Sequence, residues 1–115
     1  MGDLLLFQKN KKNPCAYSLE PGGQLEWASS PFVSLHDINS QWNDHTSQLG
    51  KLCRDNKILP VDFAIDPLYS PEEIKLIDMK KYRFMNDMFK SVGTHGKWMM
   101  RNSASVQVNI DMVSR

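Results

Sequence analysis

A chain of 115 residues, 41% hydrophobic and 23% charged, has the make-up of one ordinary globular domain and lacks the length for two independent cores. A formal net charge of +1 gives no field to gather nucleic acid or an anionic membrane. Two cysteines, Cys15 and Cys53, make no disulfide framework, so a reducing, cytoplasmic setting is expected.

Taken in chain order, Met-Gly-Asp-Leu-Leu-Leu-Phe is too short an apolar run for a secretory signal or a membrane span. Gly2 does not complete a myristoylation signal, because position 6 is Leu where Ser or Thr is needed. Residues 4–8 form a short apolar run consistent with a strand. The basic run Lys9, Lys11 and Lys12 precedes Pro14 among asparagines and reads as a solvated turn. Residues 15–20 and 24–29 both alternate, and Pro21-Gly22-Gly23 joins them. Proline presets φ at the first central position of a turn and glycine tolerates a positive φ at the second, so a hairpin is predicted.

Ser34 is placed to cap a helix, with Asp37 as its capping-box partner. Leu35, Ile38, Trp42, Leu49 and Leu52 follow at helical spacing, and the helix is predicted to run to about Asn56. Residues 61–65 read as a strand. Ser70-Pro71-Glu72-Glu73 has the form of a helix start: a cap, proline at the first helical position, and acids at the positive end of the dipole. Met79, Tyr82, Met85, Met88, Phe89 and Val92 make its stripe, read as core, with Gly93 as its stop. Residues 103–112 alternate without a slip: Ala104, Val106, Val108, Ile110 and Met112 share one face, and Ser103, Ser105, Gln107, Asn109 and Asp111 the other. One face is expected to pack on helices, the other to be wet or lined with ligand.

Few residues suggest chemistry on their own. In the predicted hairpin Glu20, Gln24 and Glu26 project from one face, an oxygen set that suits a hard cation such as Mg²⁺. From spacing alone a solvent-exposed sheet face accounts for the same residues and is the favoured reading. His36, His45 and His95 with the two cysteines match no zinc spacing, and His36 and His45 read as packing or capping groups. There is no nucleophile elbow and no Walker A loop; Gly93-Thr94-His95-Gly96 is a poor phosphate loop by itself.

Together the segments resemble the glutamate–cysteine ligases of the plant and proteobacterial type. The resemblance runs from about Tyr17 to Asp111, in the family's order. It rests on Ser18-Leu-Glu-Pro-Gly-Gly-Gln-Leu-Glu26, Leu35-His36 with His45, and Phe63-Ala-Ile-Asp66-Pro67. It continues through Lys81-Tyr82-Arg83-Phe84-Met85 and Val92-Gly93-Thr94, to Met99-Met100 with Val106-Gln107-Val108-Asn109-Ile110-Asp111. Two places depart from the family's usual pattern: Asn102-Ser103-Ala104-Ser105 stands where many members have Arg-Thr-Cys-Thr, and Lys81 where an arginine is usual.

The resemblance implies an α+β fold, a fragment of a glutamine-synthetase-like antiparallel sheet with helices packed on one face. Residues 1–115 would be a single partial catalytic domain, a middle portion inactive without the remainder of its enzyme. The implied reaction uses ATP and Mg²⁺ to phosphorylate the side-chain carboxylate of glutamate, and the cysteine amine then attacks that acyl phosphate to give γ-glutamylcysteine, towards glutathione. Glu20, Gln24, Glu26 and Gln107 would be metal ligands, Gln107, Asn109 and Asp111 would line the nucleotide cleft, and Arg83 and Arg101 would hold anions. A related ligase acting on another amine and a non-catalytic binding module of the same descent are the alternatives.

Overall fold

A computed structural model of the chain describes residues 4–8 and 14–112. The basic run at Lys9, Lys11 and Lys12 lies outside the described residues. Among those described, three strands and three helices make an α+β arrangement: β1 (Leu4–Gln8), β2 (Cys15–Leu19), β3 (Leu25–Ala28), α1 (Leu35–Asp55), α2 (Lys80–Val92) and α3 (Gly96–Arg101). The sheet is antiparallel in the order β1-β2-β3, with a bulge between Leu4 and Leu6. The predicted strand at 4–8 and the predicted hairpin are both present.

The hairpin turn differs by one residue from its prediction. Gly23 N–H donates to Glu20 O at 2.8 Å and Glu20 N–H to Gln24 O at 2.9 Å, and the positive φ of 90° falls on Gly23. Gly22 is required for another reason. A Cβ there would lie 2.5 Å from the carbonyl oxygen of Arg101, so only glycine lets the hairpin tip approach the end of α3 this closely.

α1 forms as the sequence predicts. The Ser34 side chain accepts from His36 N–H at 3.2 Å, and Asn56 is the C-cap. Its buried face is rotated from the expected stripe, however. His45 and Cys53 are buried, while Leu35 is 82% and Leu52 57% exposed. The reason is aromatic: Trp27 of β3 stacks on His45 at 4.7 Å between ring centroids, with Trp42 and Tyr17 at 5.6 Å from the same imidazole. This cluster fixes which side of α1 meets the hairpin.

Three predicted elements are corrected. Ser70 caps one turn only, with its backbone N–H and hydroxyl both donating to the Glu73 carboxylate at 2.8 Å. The helix starts at Lys80 instead. The carbonyls of Pro71 and Ile74, which a continuing helix would pair with its own N–H groups, accept from the Arg101 guanidinium at 2.7 and 3.1 Å. Tertiary bonds thus replace the helical ones. On α2 the inward residues are Tyr82, Met85, Asn86 and Phe89, whereas Met88 and Val92 face solvent.

Residues 61–65 and 103–112 are not strands. They meet each other only at an antiparallel bridge between Ile65 and Ser103, where Ala104 N–H donates to Ala64 O and Asp66 N–H to Asn102 O. Beyond it Val106, Val108, Ile110 and Met112 are 76–91% exposed. A strand needs a partner for its backbone and a cover for its apolar face, and among the described residues neither is present. The slab-like shape, 49 × 42 × 23 Å with a radius of gyration of 16.3 Å, agrees. A compact domain of this length would have a radius of about 13 Å.

Candidate functional site

The hairpin sorts its side chains by the period-two rule. Tyr17 pairs with Trp27 and Ser18 with Glu26 in adjacent rungs, so the Tyr17–Trp27 face packs on α1 and the Ser18–Glu26 face is turned away from it. Glu20, just past β2, carries its carboxyl beside that of Glu26. Burial first, and then the hydrogen bond and negative charge of Glu26, push the Glu20 carboxyl above the usual carboxylate range, while the Lys81 ammonium draws it back. Ser18 Oγ donates to Glu26 Oε2 at 3.1 Å. The result is a half-buried Glu20 carboxyl beside the exposed Glu26 carboxyl, with one hydroxyl and one ammonium, gathered from β2, β3 and α2.

The tip that carries this pair is held from three directions. Tyr82 Oη of α2 donates to Leu19 O at 3.0 Å. Ile77 N–H, from the loop before α2, donates to Pro21 O at 2.8 Å. At the third side Gly22 lies against the backbone of Arg101. The Lys81 ammonium lies over the Tyr82 ring at 4.5 Å, and its charge is felt by the Glu20 carboxyl.

Of the residues expected to act, the structure brings Glu20 and Glu26 together. Gln24 faces elsewhere: its Nε2 donates to Ser103 O at 3.1 Å and Met100 O at 3.4 Å, and its Oε1 accepts from Gly22 N–H at 3.0 Å. Arg83 lies in the first turn of α2, mostly exposed, in an ion pair with Asp78 at 2.7 Å. Arg101 is a clamp in this structure, with Nη1 on Pro71 O and Ile74 O and Nη2 on Asn86 Oδ1 at 2.9 Å. Gln107, Asn109 and Asp111 stand on the exposed segment after Ser103, which no strand pairing joins to the sheet among the described residues.

Lys81 and Ser18 are the members that sequence reasoning did not assign. Ser18 has the parity of Glu26, a signal that was available. Lys81 was visible only as a departure from the family's arginine, and its approach to Glu20 depends on where α2 docks. His45 is a packing histidine, as expected: Nδ1 is 3.0 Å from Tyr17 Oη, and burial lowers its pKa.

A profile of the glutamate-cysteine ligase family 2 matches residues 9–115. The chain belongs to that family. Among its curated relatives, the chloroplastic glutamate–cysteine ligase of Arabidopsis thaliana is 32% identical over 113 residues, which are 98% of this chain and 21% of the relative. That of Brassica juncea is 31% identical over 113 residues, 98% of this chain and 22% of the relative. Ligase A of Oryza sativa subsp. japonica is 30% identical over 104 residues, or 90% and 21%. The chain therefore spans about a fifth of the length of these relatives. Their names place them in the chloroplast, so the cytoplasmic expectation drawn from the cysteine count has no support from them. No described helix is long and apolar enough to cross a membrane. On the hairpin the Glu20 and Glu26 carboxyls stand side by side, that of Glu20 raised above its ordinary range by burial and by its neighbour. Among the described residues no group of three or more His, Cys, Asp or Glu side chains is gathered to hold a metal ion.

Proposed function

We propose that this chain supplies the metal-binding corner of an ATP- and Mg²⁺-dependent ligase that joins the side-chain carboxylate of glutamate to the amine of cysteine, towards glutathione. The observation that carries the reading is the Glu20–Glu26 carboxyl pair, fixed on a clamped hairpin in a chain of the glutamate–cysteine ligase family. Glu20 and Glu26 would hold Mg²⁺, which when bound would neutralise the phosphoryl group passing from ATP to glutamate. Gln107 would join them from the segment after Ser103, with Asn109 and Asp111 along the nucleotide cleft, in the glutamine-synthetase-like sheet that the resemblance implies. Residues 1–115 would then be one part of that catalytic domain.

In this reading the side-chain oxygen of glutamate takes the terminal phosphoryl group of ATP and ADP leaves. The cysteine nitrogen then forms the C–N bond, phosphate departs with its oxygen, and the amine proton goes to solvent. The chain's own residues contribute orientation and charge. The Ser18 hydroxyl steadies the Glu26 carboxylate, and the Lys81 ammonium keeps Glu20 closer to ionised at neutral pH. Arg83, exposed on α2, is proposed to hold a substrate carboxylate or phosphate once drawn from Asp78. Most ATP and cysteine contacts would come from sequence that the longer relatives possess, so 115 residues alone are expected to be inactive.

The test uses the protein of the complete open reading frame and follows phosphate release with glutamate and a panel of amines. Release that requires glutamate and cysteine together supports the reading. Release with glutamate and another amine, but not with cysteine, would overturn the substrate assignment. No ATP-dependent release with any amine would overturn the ligase.

A further inference from the structure

We infer that Gln24 is a positioning residue rather than a metal ligand: its side-chain amide ties the exit of α3, where the segment bearing Gln107 begins, to the tip of the Glu20–Glu26 hairpin. Both ends of that amide are in use. Nε2 donates to Met100 O and Ser103 O, carbonyls left over at the end of α3, and Oε1 accepts the Gly22 N–H inside the turn. Ser103 is also the residue of the bridge to Ile65, and Ala104 N–H next to it is bonded to Ala64 O. One side chain therefore meets three strands of backbone: the hairpin tip, the end of α3 and, through Ser103, the loop at 64–66. Gly22 packed on Arg101 keeps the same two pieces within reach. Only an amide suits this place. Its NH₂ faces two carbonyl oxygens and its oxygen faces an N–H, a pattern that a carboxylate reverses at one end and a hydrocarbon abolishes at both.

The consequence rests on the proposed function. If Gln107 is to reach Glu20 and Glu26, its segment must leave the hairpin at a fixed point, and Gln24 sets that point. Gln24→Glu separates the two roles, since it keeps and strengthens an oxygen donor for a cation while turning a carboxylate onto the carbonyls of Met100 and Ser103. Gln24→Met keeps the shape and removes both roles.

Native-state amide hydrogen exchange on the 115-residue chain is the first measurement. In both variants the Ala104 and Asp66 amides are expected to exchange about ten-fold faster, the effect of losing one or two neutral hydrogen bonds, while amides in the middle of α1 keep their rates. Acceleration that is uniform over the chain, or none at Ala104 and Asp66, would overturn the positioning role. Mn²⁺ binding, followed by electron paramagnetic resonance as a probe for Mg²⁺, is the second. Weaker binding in Gln24→Glu accords with positioning, and equal or tighter binding restores Gln24 as a ligand. Glu26→Gln serves as the control: if it leaves Mn²⁺ binding unchanged, the metal reading fails while the exchange data still decide the part played by Gln24.

Discussion

The hairpin tip and the segment after Ser103 carry the oxygen-bearing side chains of one proposed site, yet they stand in opposite physical states. The tip is a tight turn whose backbone is bonded from α2 and from the loop before it, and whose Gln24 side chain donates to a carbonyl just past the end of α3. The segment is longer and more regular in sequence, but its apolar face at Val106, Val108 and Ile110 lies open to solvent. Pattern strength does not decide which of two stretches is held. A turn closes on itself within a few residues, whereas a strand is stable only against a neighbour that supplies hydrogen bonds and cover.

Substitutions on either side of this contrast should differ sharply. The largest effect is expected at the clamp. Arg101→Leu leaves the carbonyls of Pro71 and Ile74 and the Asn86 side chain without their donor, and should lower unfolding stability by about 3 kcal/mol in urea titration. Gly22→Ala should cost about 2 kcal/mol, because the new methyl meets the backbone of Arg101, which cannot swing away as a side chain would.

The α1–hairpin contact should show itself in pH dependence. His45 has its pKa lowered by burial, so the unfolded chain binds the proton more readily than the folded one. Stability is therefore full above the unfolded value of about 6.5 and declines as pH falls through and below it. His45→Phe should flatten that part of the profile, and an unchanged slope in the variant would break the assignment of His45 to the packed cluster.

A smaller effect of the opposite sign is expected at the site. The Glu20 carboxyl titrates above its ordinary range, so its protonated form favours the fold and that stability is lost as pH rises through the folded value. Glu26→Gln removes the neighbouring charge and should stabilise the metal-free chain at neutral pH by about 0.5 kcal/mol. At the quiet end, Val108→Ser should change stability by less than about 0.5 kcal/mol, as expected of an exposed side chain without a partner. A large loss there would mean that the segment is packed in solution.

What the sequence made legible follows the same division. Ser34, the periodic residues behind it and Asn56 sufficed for α1, and Pro21-Gly22-Gly23 sufficed for the hairpin, because caps and turns are decided within a few residues. The face of α1 was misread because the Trp27–His45 stack joins residues 18 apart and outweighs the leucines. Ser70-Pro71-Glu72-Glu73 carried every local mark of a helix start and made only one turn. Its carbonyls had a better partner in Arg101, about 30 residues away, which no spacing rule foresees. In the site, the nearness of Glu20 to Glu26 was readable from strand parity. The turning of Gln24 toward Met100 and Ser103 was not, since it depends on where α3 ends.

The most direct measurement is Mn²⁺ binding to the chain by electron paramagnetic resonance, for the wild type and for Glu20→Gln and Glu26→Gln. One bound ion is expected, lost or weakened at least ten-fold in each variant as one of the two carboxylate donors is replaced by an amide. Binding that persists unchanged in both variants, or no binding by the wild type, would contradict a metal site at the hairpin.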